Sequence, residues 1–255
     1  MKKLTTLLIG AMVALLALSP VADAKKRHRA RTVTVCGIVD ASSALPSTLV
    51  IATGGTRTVT IQNSKPVTVP ANVVAGADVC ARAKRVRNAD ATKTKVLLNV
   101  KARAAATVKA TGSVTVAADK ITVATLDFMF KPGFTLSPRI TDGKVVRAFG
   151  SVATAGDPIV LKRVAKLRFG HRAHANKAAK TVAGSALITG RVSDLTAATA
   201  TTAGSLEVGG ITLAIPAGKV LRAKVQDNAR VTAWATVKNG ELTLRRVVVT
   251  QRAPA

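Results

Sequence analysis

The sequence predicts an all-β protein of three small five-stranded barrels in tandem, following a cleaved signal peptide. Three observations predict it. The chain repeats itself over 31–103, 106–168 and 184–252. Each copy is rich in Val and Thr, whose β-branched side chains suit a pleated sheet. Turn signals cut each copy into short strands. The repeat fixes the architecture before any single motif is weighed.

The repeat is carried by three steps. Each copy opens on Gly-x-Val: Cys36-Gly37-Ile38-Val39, Thr111-Gly112-Ser113-Val114 and Thr189-Gly190-Arg191-Val192. Each then has a strand spaced Val-x-Ala-x-(Ala or Gly): Val79/Ala81/Ala83, Val146/Ala148/Gly150 and Val231/Ala233/Ala235. Each closes on Leu-x-x-Val at Leu97/Val100, Leu161/Val164 and Leu244/Val247.

The third copy gives the clearest element order. Leu187–Asp194 is an alternating strand. Ser205–Ala214 is a hairpin whose Gly209-Gly210 pair supplies the positive φ of a two-residue turn. A connector follows from Pro216 to Asn228, where Pro216 and Gly218 oppose a long helix. Arg230–Val237 and Glu241–Val249 form a second hairpin around Asn239-Gly240. In the second copy, strands at 113–116 and 121–123 flank a turn at Ala118-Asp119. Asp142-Gly143 leads into a strand over 144–152, and Asp157-Pro158 precedes the closing strand. The first copy turns at Gly54-Gly55 and loops from Asn88 to Lys93. Five strands with a connector between the third and fourth is the layout of an OB-type barrel. An immunoglobulin-like sandwich needs about seven strands per module, more than these copies hold.

Residues 1–24 read as a secretory signal peptide. Lys2 and Lys3 precede an apolar core from Leu4 to Leu18, and Ala22-Asp23-Ala24 is a small-x-small cleavage site. A membrane anchor is the other reading of that run. It is short against the roughly 20 residues of a span, and Pro20 and Asp23 interrupt it. No later stretch has spanning length, so no transmembrane segment is expected after cleavage. Residues 25–30 form a basic tail, and 169–183 a basic linker with enough Ala for a short helix. The short joint at Ala102–Ala106 predicts close packing of the first two modules, with the third free to move on its linker.

Cys36 and Cys80 lie in strands of the first copy that are neighbours in a closed barrel. In an oxidising compartment a disulfide is the default reading, with a thiol pair or a metal site as alternatives. Closing that loop contributes roughly 4 kcal/mol on the chain-entropy estimate. The matching positions elsewhere are Thr111 with Arg147 and Thr189 with Thr232, so the bridge is local to one module.

Charge sets the expectation for function. The chain has 39 Lys and Arg against 12 Asp and Glu, a formal charge of +27. Losing Lys2, Lys3 and Asp23 with the signal peptide lowers this by only one. The excess runs through every segment and is densest at Lys25, Lys26, Arg27, Arg29 and Arg31, and at Arg82, Lys84, Arg85 and Arg87. A basic run is often no more than a solvated face. An excess of this size over the whole chain favours contact with polyanions.

Catalysis finds little support. His28, His171 and His174 lie in the tail and linker, without the burial or orienting carboxylate a general base requires. Asp40, Asp119, Asp142, Asp157, Asp227 and Glu241 fall in turns, where carboxylates bond backbone amides. No acidic pair recurs between copies, and no cofactor or metal is expected. A nucleic-acid reading has the barrel layout and the charge in its favour, but such barrels stack bases on aromatic rings. Aromatic residues are only 2% of this chain. Phe149 and Trp234 hold the same strand slot that Arg82 holds in the first copy, so they are the stacking candidates. Their neighbours Ala148 and Ala233 face the other way, so one of the two sets belongs to the core. Phe128 to Phe134 is an aromatic stretch suited to an apolar contact between modules.

The pattern Thr-Gly-x-Val, Leu-x-Val-x-Gly, Val-x-Ala-x-Ala and Leu-x-Leu-x-x-Val resembles tandem OB-like domains in secreted bacterial families of unknown activity. The resemblance is best over 184–252 and weakest over 124–140. It implies a fold and an extracellular or envelope location, and no functional residue. The expectation is a secreted, non-catalytic binder of polyanions in the cell envelope or extracellular matrix. A secreted single-stranded nucleic-acid binder and a structural spacer are the alternatives.

Overall fold

The computed structural model describes residues 31–65, 67–88, 90, 92–167 and 184–254. Among them the protein is all-β, and residues from Thr32 onward form one compact unit. Five strands, β1 (Thr32–Val39), β2 (Thr48–Gly54), β3 (Arg57–Gln62), β4 (Asp78–Arg87) and β5 (Lys93–Ala102), close a barrel in the order β1-β2-β3-β5-β4. Then come β6 (Ala106–Val116), β7 (Lys120–Val123), β8 (Leu126–Met129), β9 (Val145–Val152) and β10 (Ile159–Lys166). Last are β11 (Ser185–Thr196), β12 (Gly204–Val208), β13 (Ile211–Ile215), β14 (Arg230–Lys238) and β15 (Glu241–Gln251). These ten make one sheet, in which β6–β9 and β11–β12 pairings close two five-strand circuits. In each circuit the third and fifth strands run parallel: β3 with β5, β8 with β10, β13 with β15.

Alternation produces the cores. Every second residue of β4, β9 and β14 is a small apolar one: Val79, Ala81 and Ala83, then Val146, Ala148 and Gly150, then Val231, Ala233 and Ala235. A five-stranded barrel has a narrow interior, so Ala and Val suffice and bulk is rationed. Phe128 is fully buried beside Gly150, where a Cβ would stand 2.9 Å from its ring.

The three connectors are irregular and do the same work. Val73, Ile140 and Val225 are each buried. Each closes a tight turn by donating its amide to the residue three before it: Pro70, Ser137 and Arg222. The chain then returns to the first strand. Gly76, Gly143 and Asn228, all at positive φ, donate to the carbonyls of Val39, Val114 and Val192. Those valines in turn donate to Ala77, Lys144 and Ala229. The valine of each Gly-x-Val step is thus clamped by backbone bonds to the chain just after an aliphatic plug.

In the second circuit β6 and β7 pair around the expected turn at Ala118-Asp119, and the hairpin that follows is unexpected. That hairpin is β7–β8, turning at Ala124-Thr125 with φ of 51° and 64°. Neither residue announces such a turn, since Gly or Asn normally takes left-handed positions. Ala124 is buried at the crossing of β6 and β11, against Gly184 and Gly112. Its methyl fills the space those glycines leave. The aromatic stretch is also corrected. Phe128 belongs to the core of its own circuit, facing Ile121 and Ile159 across the sheet, and Phe130 stacks on Phe134 at 5.3 Å. Small residues line the closest backbone approaches between modules instead.

The third module is not free. β11 pairs antiparallel with β6 from Ser185↔Thr111 to Gly190↔Ala106. A Cβ on Gly190 would stand 2.5 Å from the Ala105 carbonyl, and one on Gly209 2.7 Å from it. The short joint therefore lies against bare backbone. The first barrel docks on the third circuit through Asp78. Its carboxylate meets Arg230 at 2.5 Å, Arg191 at 3.0 Å and Arg103 at 3.8 Å, with a side-chain exposure of 9%. Burial, then the Arg103 charge, lowers the pKa of the Arg230 guanidinium, while Asp78 opposes that shift. Gln251 adds a second link, its amide donating to Cys36 O and Thr53 O, and Gly55 bridges to Pro254.

Cys36 and Cys80 face each other across β1 and β4 and form the disulfide. No helix among the described residues is long and apolar enough to cross a membrane. The stretch 1–24 expected to be a signal peptide, and the expected tail 25–30 and linker 169–183, lie outside the described residues.

Two outcomes follow from this packing. Asp78→Ala leaves three guanidiniums facing one another without their counter-ion, so denaturant unfolding should show a loss of about 3–5 kcal/mol. Thr125 is exposed at a left-handed position that a β-branched residue adopts at a cost. Thr125→Gly should raise stability by roughly 0.5 kcal/mol after the added chain entropy is counted; a loss of that size would show that the turn is unstrained.

Candidate binding face

The β6–β11 pairing joins two circuits back to back and creates a continuous outer surface, β10-β9-β6-β11-β14-β15. Residues directly opposite one another in antiparallel strands share a face. Register therefore places one row across this surface: Arg163, Phe149, Lys109, Leu187, Trp234 and Arg246. The residues on either side of the row in β9, β6, β11 and β14 are small or aliphatic and buried, including Ala148, Ala110, Ala186 and Ala233. This settles which set is core: the alanines face inward and the two rings face out.

The rings hold cations. Lys109 Nζ lies 5.8 Å and the Arg163 guanidinium 5.9 Å from the centre of Phe149. The Arg246 guanidinium lies 5.3 Å from the centre of Trp234. β6 and β10 flank β9, so the two cations reach Phe149 from opposite sides. A ring face attracts a cation by its quadrupole, modestly where the ring is partly exposed as both are here.

A bulge in each closing strand supplies extra charge. The register slips between Leu161 and Arg163, and again after Arg246 at Leu244. The slip turns Lys162-Arg163 and Arg245-Arg246 outward, exposed in both cases. Lys219 pins the second bulge by donating to the carbonyls of Leu244 at 2.7 Å and Arg245 at 2.6 Å. Burial, then the Arg245 charge, lowers the pKa of that ammonium.

Beside the row lies a groove of ≈ 680 Å³ whose charged lining is Lys109, Arg147, Lys238 and Arg245, with no carboxylate. Leu187 and Trp234 form its apolar wall. Arg147 Nε is buried there without a hydrogen-bond partner among the described residues. A second groove, of ≈ 720 Å³, is lined by Asp127, Asp157 and Glu241 with no Lys or Arg. The two grooves therefore have opposite charged linings.

The sequence candidates fall in three places. Arg82, Lys84, Arg85 and Arg87 are exposed along β4 of the first barrel and line neither groove. Arg31 is exposed, and Lys25, Lys26, Arg27 and Arg29 lie outside the described residues, as do His28, His171 and His174. Phe149 and Trp234 are brought into one row. The turn carboxylates bond as expected at several sites: Asp40 accepts from Ser42, Asp142 from the Val116 amide and Asp157 from the Thr154 amide. The Ser42 hydroxyl, then its amide, holds Asp40 below the usual carboxylate range.

Sequence reasoning missed Lys109, Arg147, Arg163, Lys238, Arg245 and Arg246, because they are scattered singly or in pairs over five strands. Cross-strand register, and not sequence proximity, gathers them. No family model matches the chain, and no curated protein or solved structure matches it.

Proposed function

We propose that this chain is a secreted, non-catalytic protein of three tandem OB-like barrels that binds polyanions of the cell envelope or extracellular matrix. The strand order, repeated in each circuit with parallel third and fifth strands, supports the OB-like reading. The disulfide is compatible with an extracellular location. One observation carries the binding reading: a groove lined by four cations and no carboxylate, while acids line the other groove. A spacer would disperse its charge evenly.

Single-stranded nucleic acid is the second reading, favoured by Trp234, which is 38% exposed on the basic face. The tail at 25–30 and the β4 run would add electrostatic attraction without stereochemical demand.

The test is binding of the purified protein to single-stranded DNA, a teichoic-type polymer, an acidic polysaccharide and anionic vesicles over a salt series. Binding at low salt that falls steeply as salt rises is expected. Absence of binding to every polyanion at low salt would leave a structural spacer. Lys219→Met should loosen the Arg245-Arg246 bulge and weaken binding roughly threefold. Lys131→Met, removing an equal charge from an exposed loop, should change it far less; equal effects from both would mean that only net charge counts.

A further inference from the structure

We infer that the outer face β10-β9-β6-β11-β14-β15 is a platform for an acidic polysaccharide laid across the strands, gripped by two half-sites. The inference rests on the polyanion reading and names its ligand class and geometry.

The half-sites are related by the β6–β11 pairing. Lys109 and Leu187 each stand three residues before the glycine of their Gly-x-Val step, and they face each other. The pairing therefore has a local two-fold relation centred on them. Moving outward from that centre, Phe149 answers Trp234 and Arg163 answers Arg246. Each half presents one ring with a guanidinium over it. The first barrel lacks such a half-site, since Arg82 takes the ring position and Asn99 the guanidinium position.

The spacing selects the ligand. Strands lie about 4.8 Å apart, so the row spans roughly 24 Å from Arg163 to Arg246. Its cations are two and three strand steps apart, roughly 10 and 14 Å, with Leu187 and the two rings between them. Along the row itself, charge separated by apolar surface complements a chain whose carboxylates or sulfates are separated by uncharged sugar rings, and Arg147, Lys238 and Arg245 lie beside the row. A nucleic acid or polyphosphate carries an anion on every unit, and most would find no partner in the row. Base stacking on successive rings also fails geometrically. The two rings are three strand steps apart, and cations already flank Phe149 on both sides. The reversed sense of the halves suits a polymer recognised by charge and sugar face, whichever way its chain runs.

The test measures affinity for a polysaccharide with one carboxylate per disaccharide, for its size-fractionated oligomers, for single-stranded DNA and for polyphosphate. Phe149→Ala and Trp234→Ala should each weaken polysaccharide binding roughly tenfold. Both should leave the melting temperature near wild type, because both rings lie on the outer face. Leu187→Glu, which places a carboxylate at the centre of the row, should weaken it further. Oligomers that reach both half-sites should bind about a hundredfold more tightly than those that reach one. If polyanions bind with a steep salt dependence but the ring variants and oligomer length change nothing, the platform is wrong while the polyanion reading stands. If single-stranded DNA binds as tightly as polysaccharide and depends on the rings, the ligand class is wrong. If nothing binds at low salt, both readings fall.

Discussion

The antiparallel pairing of β6 with β11 is the contact on which the rest of the structure depends. It merges two five-strand circuits into one sheet and turns two separate outer surfaces into one. It also imposes small residues wherever backbones cross. A Cβ on Gly190 or Gly209 would collide with the Ala105 carbonyl, while one on Gly112 would stand 3.1 Å from Gly184 and one on Gly184 3.0 Å from Ala124. These glycines follow from the approach distance between modules, and the strained Ala124-Thr125 turn fills what they leave open.

The composition follows from the same geometry. Three narrow circuits need many Val and Ala and few rings, which explains an apolar fraction of 48% with so few aromatics. All five aromatics among the described residues have clear places: Phe128 in a core, Phe130 against Phe134, and Phe149 and Trp234 on the outer face. Charge has little room inside. Of the four ion pairs among the described residues, three share Asp78. That single carboxylate sits where the first barrel meets the third circuit, and its Arg partners come from three distant parts of the chain. A buried charge of this kind contributes less to net stability than to fixing one docking geometry, because removal of either partner is costly.

Much of the fold was legible in the residues. Gly-x-Val, Val-x-Ala-x-Ala and Leu-x-x-Val mark the first, fourth and fifth strands of every circuit, because periodicity of two survives in a half-buried strand. Gly54-Gly55, Gly209-Gly210 and Asn239-Gly240 mark their hairpins for the same local reason. β8 was not legible, since its turn residues are Ala and Thr and its strand is four residues long. The plugs Val73, Ile140 and Val225 were hidden in connectors where a single aliphatic carries no period. The binding face was legible only in part. Its rings stood out by rarity, but its cations come together through register between strands far apart in sequence. The freedom expected of the third module failed because a linker's length says nothing about the edges on either side of it.

A two-fold edge pairing has a further consequence, for copy number. β6 and β11 each bond a strand on both sides over the same residues, so their pairing saturates both edges and propagates no further. The corresponding edge of β1 is occupied at Cys36 by the Gln251 amide, supplied from the last strand of the same chain. An array built this way ends itself. It forms a joined pair with one docked neighbour, in place of a ribbon that lengthens with every added module.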